Sequence, residues 1–132
     1  MKTRDQRLAH DVYAHVVQFE QTHPSHTAWK QYGSLAHALP ILIRTAGLAQ
    51  ALAFVEARHA PSSPQRQLLQ DLQAVLGQPQ LVARSREAHF GAYLQLTQQT
   101  LAALLWFKRY AQSVLDVQAG DDAEEGGDAR TE

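Results

Sequence analysis

Residues 32–52 read YGSLAHALPILIRTAGLAQAL, with two glycines, one proline and a single charge, Arg44. Such a segment is a membrane anchor, a core element or a contact surface, and the choice decides the fold. A bilayer-crossing helix needs about 20 consecutive apolar residues. Pro40, Arg44 and Gly47 interrupt the run well short of that, so no membrane span is expected. Its apolar residues nevertheless outnumber what one amphipathic stripe uses. Most are therefore expected in a core. Ala36, Ala38, Ala46, Ala49 and Ala51 give a smooth small-residue surface suited to close approach.

Outward from this stretch the sequence reads as helices only. Thr3 followed by Gln6 fits a capping box, which predicts a first helix to about Gln21. Leu8, Val12, Val16 and Phe19 form its apolar stripe, and His15 on the same stripe is expected to be a packed, hydrogen-bonded histidine. After a turn at HPSHT (23–27), a second helix should begin near Thr27 and break at Ser34 or kink before Pro40. Gly47 reads as a left-handed stop, followed by a helix from Leu48 to about His59. Ser63-Pro64 reads as N-cap and first residue of a helix that Gly77 ends. A fifth helix is expected over about Leu81–Leu96 and a sixth over about Thr97–Leu115, the two separate or continuous. No segment alternates with period two. The expectation is an all-α, single-domain bundle of five or six helices.

At 132 residues the chain has the length of one domain, and 45% hydrophobic residues can fill its core. The net charge of −1 hides an asymmetry. Residues 117–132, VQAGDDAEEGGDARTE, hold six acids and one base, net −5, while residues 1–116 hold eleven bases and seven acids, net +4. The sequence thus divides into a mildly basic bundle (1–116) and a disordered acidic tail (117–132) that adds nothing to stability. A polyanionic partner is compatible with that body.

The absence of cysteine removes disulfides and thiolate zinc sites. The N-terminus has no apolar signal region, so a cytoplasmic location is expected. No phosphate loop, nucleophile elbow or paired-histidine zinc motif is present. His23 and His26 sit in a proline turn without a nearby carboxylate, and neither a metal nor a cofactor is expected. Arg84 to His89 and Arg4 to His10 match the spacing of helical HEPN-type ribonucleases, in which His moves a proton and Arg steadies phosphate charge. Nine Arg, seven His and three allowed spacings give about 1.4 such matches by chance. The matches carry little weight. A free-standing DNA-binding regulator would use PQRQLLQDLQ (64–73) as its reading helix, though Asp71 opposes that.

On the last helix, Leu101, Leu104, Phe107, Ala111, Val114 and Leu115 share a core face, with Trp106, Arg109 and Tyr110 opposite. Trp106 and Tyr110 are candidates for protein contact, or second-layer core. Candidate RNA contacts are Arg4, Arg7, Arg44, Arg84, Arg86, Lys108 and Arg109, each otherwise a solvated surface charge.

MKTRDQRLAHDVY, YGSLAHALPILIRTAGLAQALAFV and YLQLTQQTLAALLWFKRYA, in that order, resemble the small helical subunit of the Cmr (type III-B) CRISPR RNA-silencing complex. The middle block, with YGSLA, LP, LIR, GL and LAF at family-like spacing, is the most specific. Near the end the family pattern has an acidic residue where this chain has Thr97, Gln98 and Gln99, so an ion pair there is not carried over. The resemblance implies a non-enzymatic protein of antiviral defence. Copies would stack on one another beside the crRNA-bearing backbone, touch the backbone and large subunits, and help hold the crRNA–target RNA duplex. Target cleavage would belong to the backbone subunits.

Overall fold

The structure, a computed structural model, describes residues 1–121. Six helices and no strand occur among them: α1 (Arg4–Thr22), α2 (His26–Ala46), α3 (Leu48–Arg58), α4 (Pro64–Leu76), α5 (Leu81–Glu87) and α6 (Phe90–Ser113). The all-α expectation holds. α2 lies at the centre, packed against α6, α4 and α3, while α1 crosses α6 and α4, and α5 rests on α3.

Local chemistry sets several of the ends. Gln6 N–H donates to Thr3 Oγ1 at 3.0 Å and Thr3 N–H to Gln6 Oε1 at 2.9 Å, completing the capping box. Ser63 Oγ accepts from Arg66 N–H at 3.2 Å, one residue before Pro64. At the other end of α4, Gly77 is left-handed (φ 64°, ψ 30°), and Gln78 N–H reaches back to the Gln73 carbonyl at 2.9 Å.

The expected break of the second helix at Ser34 does not occur. α2 runs through Gly33 and Pro40 as one element. A mid-helix proline forfeits a backbone hydrogen bond and crowds the preceding turn, at about 3 kcal/mol. Here Tyr32, Ala36, Leu39 and Ile43 on the same helix are all essentially fully buried, and that burial outweighs the local penalty. Gly33 has a packing role: a Cβ there would sit 2.8 Å from Val117 Cβ.

Gly47 differs in kind from the left-handed stop expected. It joins α2 to α3 alone with φ 92° and ψ 158°, a positive-φ extended conformation that glycine adopts without strain. The boundary between the last two helices also lies elsewhere. It falls at Ala88–His89, both extended, and not at Leu96–Thr97. Thr97, which read as the boundary, is internal to α6, and its hydroxyl donates one turn back to the Tyr93 carbonyl at 2.9 Å, as Thr100 does to that of Leu96 at 2.7 Å. α5 packs on α3 while α6 packs on α1 and α2, and the chain must turn between them.

Val117, assigned to the tail on composition, belongs to the core. It is fully buried and seated against Gly33. Its N–H returns to the Ala111 carbonyl at 2.9 Å, over a turn in which Asp116 takes φ +57°. The body thus continues past residue 116. Of the rest of the expected acidic tail, 118–121 are described and 122–132 lie outside the described residues.

Candidate protein and nucleic-acid contact surface

α1 and α6 pack against each other and bring five candidate or neighbouring side chains together. Trp106 Nε1 donates to Asp5 Oδ1 at 3.1 Å across 101 residues of sequence. Tyr110 stacks on Trp106 with ring centroids 5.8 Å apart, and Tyr13 of α1 meets Tyr110 edge-on at 5.2 Å. Arg109 completes the cluster, its Cζ lying 4.9 Å from the Trp106 ring centre. A guanidinium over an indole face is attracted by the ring quadrupole. Trp106 and Tyr110 are half-buried second-layer packing, while Tyr13 and Arg109 are exposed. Sequence reading missed Tyr13, which lies off the apolar stripe of α1.

All seven cationic candidates are exposed, but they do not form one cluster by sequence or element. Arg4 and Arg7 occupy the start of α1, and Lys108 and Arg109 the late turns of α6. Arg44 lies at the C-terminal end of α2, where a cation complements the helix dipole. Arg84 and Arg86 sit within α5, on the α3 side of the bundle. Arg84 donates to Gln78 Oε1 at 2.8 Å.

A second constellation is buried and was invisible in sequence. Tyr32 Oη donates to Asp71 Oδ2 at 2.6 Å, Gln67 Nε2 donates to Oδ1 at 2.8 Å, and His15 Nδ1 lies 3.4 Å from Oδ1. His15 is therefore partnered, as expected, though only half-buried. Burial pushes the Asp71 carboxyl up from its ordinary range, while the Tyr32, Gln67 and His15 contacts pull it down. Tyr32 is held well above its ordinary value, first by burial and then by the Asp71 charge. The hollow beside this network is about 170 Å³. The network ties α1, α2 and α4 together.

Neither of the two ribonuclease-like spacings lies on one continuous helix face. Arg84 is on α5 and His89 is the N-cap of α6, with the helix break between them. Arg4 and His10 are both on α1, but six residues place them about 120° apart around the axis. α4 is equally ill-suited to DNA reading. Leu68, Leu69, Asp71 and Leu72 are buried, Gln67 is engaged by Asp71, and Arg66 donates to the Glu56 and His59 carbonyls at 3.3 Å.

Comparison with known proteins agrees with this architecture. The family model "CRISPR-associated protein (Cas_Cmr5)" matches residues 4–114. The CRISPR system Cmr subunit Cmr5 of Thermus thermophilus is 44% identical over 89 residues, covering 65% of this chain and 76% of the relative. The crystal structure of a CRISPR-associated Cmr5 family protein from the same organism superposes with a TM-score of 0.71 at 39% identity. That match covers 86% of this chain and 98% of the other. A family match over nearly the whole helical body, with the same fold in a solved relative, makes this chain a member of the Cmr5 family of CRISPR-associated proteins.

Proposed function

We propose that this chain is a non-catalytic small subunit of a type III-B (Cmr) CRISPR effector complex in the cytoplasm. Copies of it stack beside the crRNA-bearing backbone, contact the backbone and large subunits, and help hold the crRNA–target RNA duplex. The observation that carries this reading is the family match over residues 4–114. No helix among the described residues is long and apolar enough to cross a membrane. The exposed cations Arg4, Arg7, Arg44, Arg84, Arg86, Lys108 and Arg109 are the candidate RNA contacts. Trp106 and Tyr110 are the candidate protein contacts of the α1–α6 face.

Exposed cations distributed over several elements suit a subunit that holds RNA as one of a row. Contacts that are weak singly add through effective concentration when copies are fixed side by side. The test is reconstitution: the tagged chain mixed with the other Cmr subunits and crRNA, then purified through the tag. The expected result is co-purification of the backbone and large subunits at fixed stoichiometry. A chain that emerges alone would overturn the proposal.

A further inference from the structure

Residues 1–121 carry a net charge of +3, and the eleven residues after them, DAEEGGDARTE (122–132), hold five acids and one base, net −4. The family match ends at residue 114, so this acidic segment lies outside the shared helical body. Packing fixes where it starts. Fully buried Val117 sits against Gly33, and His37 Nε2 donates to its carbonyl at 2.9 Å, both on the middle turns of α2. Gln118 N–H then donates to Asp121 Oδ2 at 2.8 Å, turning the chain as it leaves the body. Ala119 and Gly120 share one hollow with Ile41 of α2 and Arg58 at the end of α3. Arg44 follows Ile41 by three residues and so neighbours it on the same side of α2. Both arginines are exposed, and no carboxylate among the described residues lines the hollow. Eleven residues span up to about 36 Å, whereas the seven from His37 to Arg44 rise only about 10 Å along the helix. The segment therefore reaches both guanidinium groups.

We infer that the acidic segment 122–132 lies against Arg44 and Arg58 and competes with RNA for them, so that the chain holds its own polyanionic competitor. The inference rests on the RNA-holding part of the proposed function, in which Arg44 is a candidate contact, and it adds Arg58 to that surface. An exposed carboxylate–guanidinium pair is weak singly and is screened by salt. Tethering offsets this weakness, because it sets the effective concentration of the acids at about millimolar. A single strand meeting an isolated copy must displace the segment for the sake of a few phosphates. RNA laid along a row of copies brings many phosphates at once and displaces it readily. The segment thus disfavours stray RNA on the unassembled chain.

The test compares binding of labelled single-stranded RNA by the full chain and by a full-length variant carrying Asp122→Asn, Glu124→Gln, Glu125→Gln, Asp128→Asn and Glu132→Gln. Neutralising the segment should tighten binding about fivefold at about 50 mM salt, and the two chains should agree within about twofold at about 300 mM. Freeing two cations should also steepen the slope of log K against log salt by about 1.4. A second pair of chains carries Arg44→Gln and Arg58→Gln, exposed positions at which circular dichroism should match wild type. In that background the same five changes should alter affinity by less than about twofold. Equal binding by the first two chains at low salt would overturn the inference. A gain that survives without Arg44 and Arg58 would overturn it as well, by reducing the effect to net charge. Either result leaves the co-purification that tests the proposed function untouched, and a chain that fails to co-purify yet shows the RNA effects would lose the assembly reading while keeping the competition.

Discussion

Tyr32 and Asp71 are 39 residues apart in sequence, yet the phenol donates to the carboxylate at 2.6 Å in the centre of the bundle. Tyr32 also stacks on Phe19, with centroids 4.0 Å apart. One side chain thus joins the aromatic core to the one buried carboxylate among the described residues. Removing the hydroxyl while keeping the ring isolates its contribution. Tyr32→Phe leaves Asp71 short of a donor, a loss of about 1–3 kcal/mol. Urea unfolding should register it as a lower midpoint at unchanged slope.

The same pair sets a pH dependence. Burial raises the Asp71 carboxyl above its ordinary 3.8. Between that value and the raised one, the folded state holds a proton that the unfolded state releases. Stability therefore falls as pH rises through this window. Below it both states are protonated and the pH dependence vanishes. Melting temperatures of wild type and Asp71→Asn, measured from about pH 4 upward, should diverge in that sense, wild type losing ground to the amide. Parallel curves would show that the three donors fully offset the burial.

Val117 gives a prediction that composition alone reverses. A chain ending at Asp116 loses a fully buried side chain and the acceptor of His37 Nε2. About 25 cal/mol per Å² of apolar burial and one lost hydrogen bond amount to roughly 2–4 kcal/mol. A chain ending at Asp121 keeps both. Thermal unfolding should fall by several degrees for the first truncation and stay unchanged for the second. In the same pocket, Gly33→Ala drives a Cβ to 2.8 Å from Val117. Gly33→Ala combined with Val117→Gly should be less destabilising than the sum of the two.

These residues also show what the sequence could and could not convey. Thr3, Ser63 and Gly77 set helix ends through neighbours three to five positions away, so their spacing was enough to place them. Gly33 and Pro40 read as breakers because their partners lie elsewhere, in Val117 and in the helices packed around α2. The Ala88–His89 break carries no proline and no side-chain cap. It follows from two helices needing different neighbours. Trp106 and Tyr110 were legible as the outer face of α6. Their partners Asp5 and Tyr13 on α1, like Tyr32 and Gln67 around Asp71, become neighbours only once the bundle is assembled.

Purified protein should not cleave RNA, with or without divalent metal. Arg84 and His89 are separated by the turn between α5 and α6, and Arg4 and His10 point to different sides of α1. The break at Ala88–His89 gives the first pair no common helix face, and the second pair is about 120° apart around α1. Incubation with labelled single-stranded RNA, followed by gel analysis, should give no product. His10→Ala and His89→Ala should be indistinguishable from wild type. Cleavage lost in either variant would restore the ribonuclease reading through a site shared between copies.

RNA binding by the isolated chain should be weak and strongly salt-sensitive. The seven candidate cations are spread over α1, α2, α5 and α6, so any one face neutralises about three or four phosphates. Counterion release then gives log K against log salt a slope of about −2 to −3 for a single strand. Reversing Arg44 and Arg109 together removes up to two of those contacts and should bring the slope about 1.4 units closer to zero. Both side chains are exposed, and the fold should be unchanged by circular dichroism. In the reconstituted complex the double variant should lose target RNA progressively as salt rises from about 50 to 200 mM, the range over which such contacts weaken. Arg109 has a second tie, to the Trp106 ring, so Arg109→Lys separates charge from stacking: it should keep the salt slope while loosening the aromatic cluster. Retention equal to wild type at every salt concentration would make this subunit a spacer held by protein contacts alone.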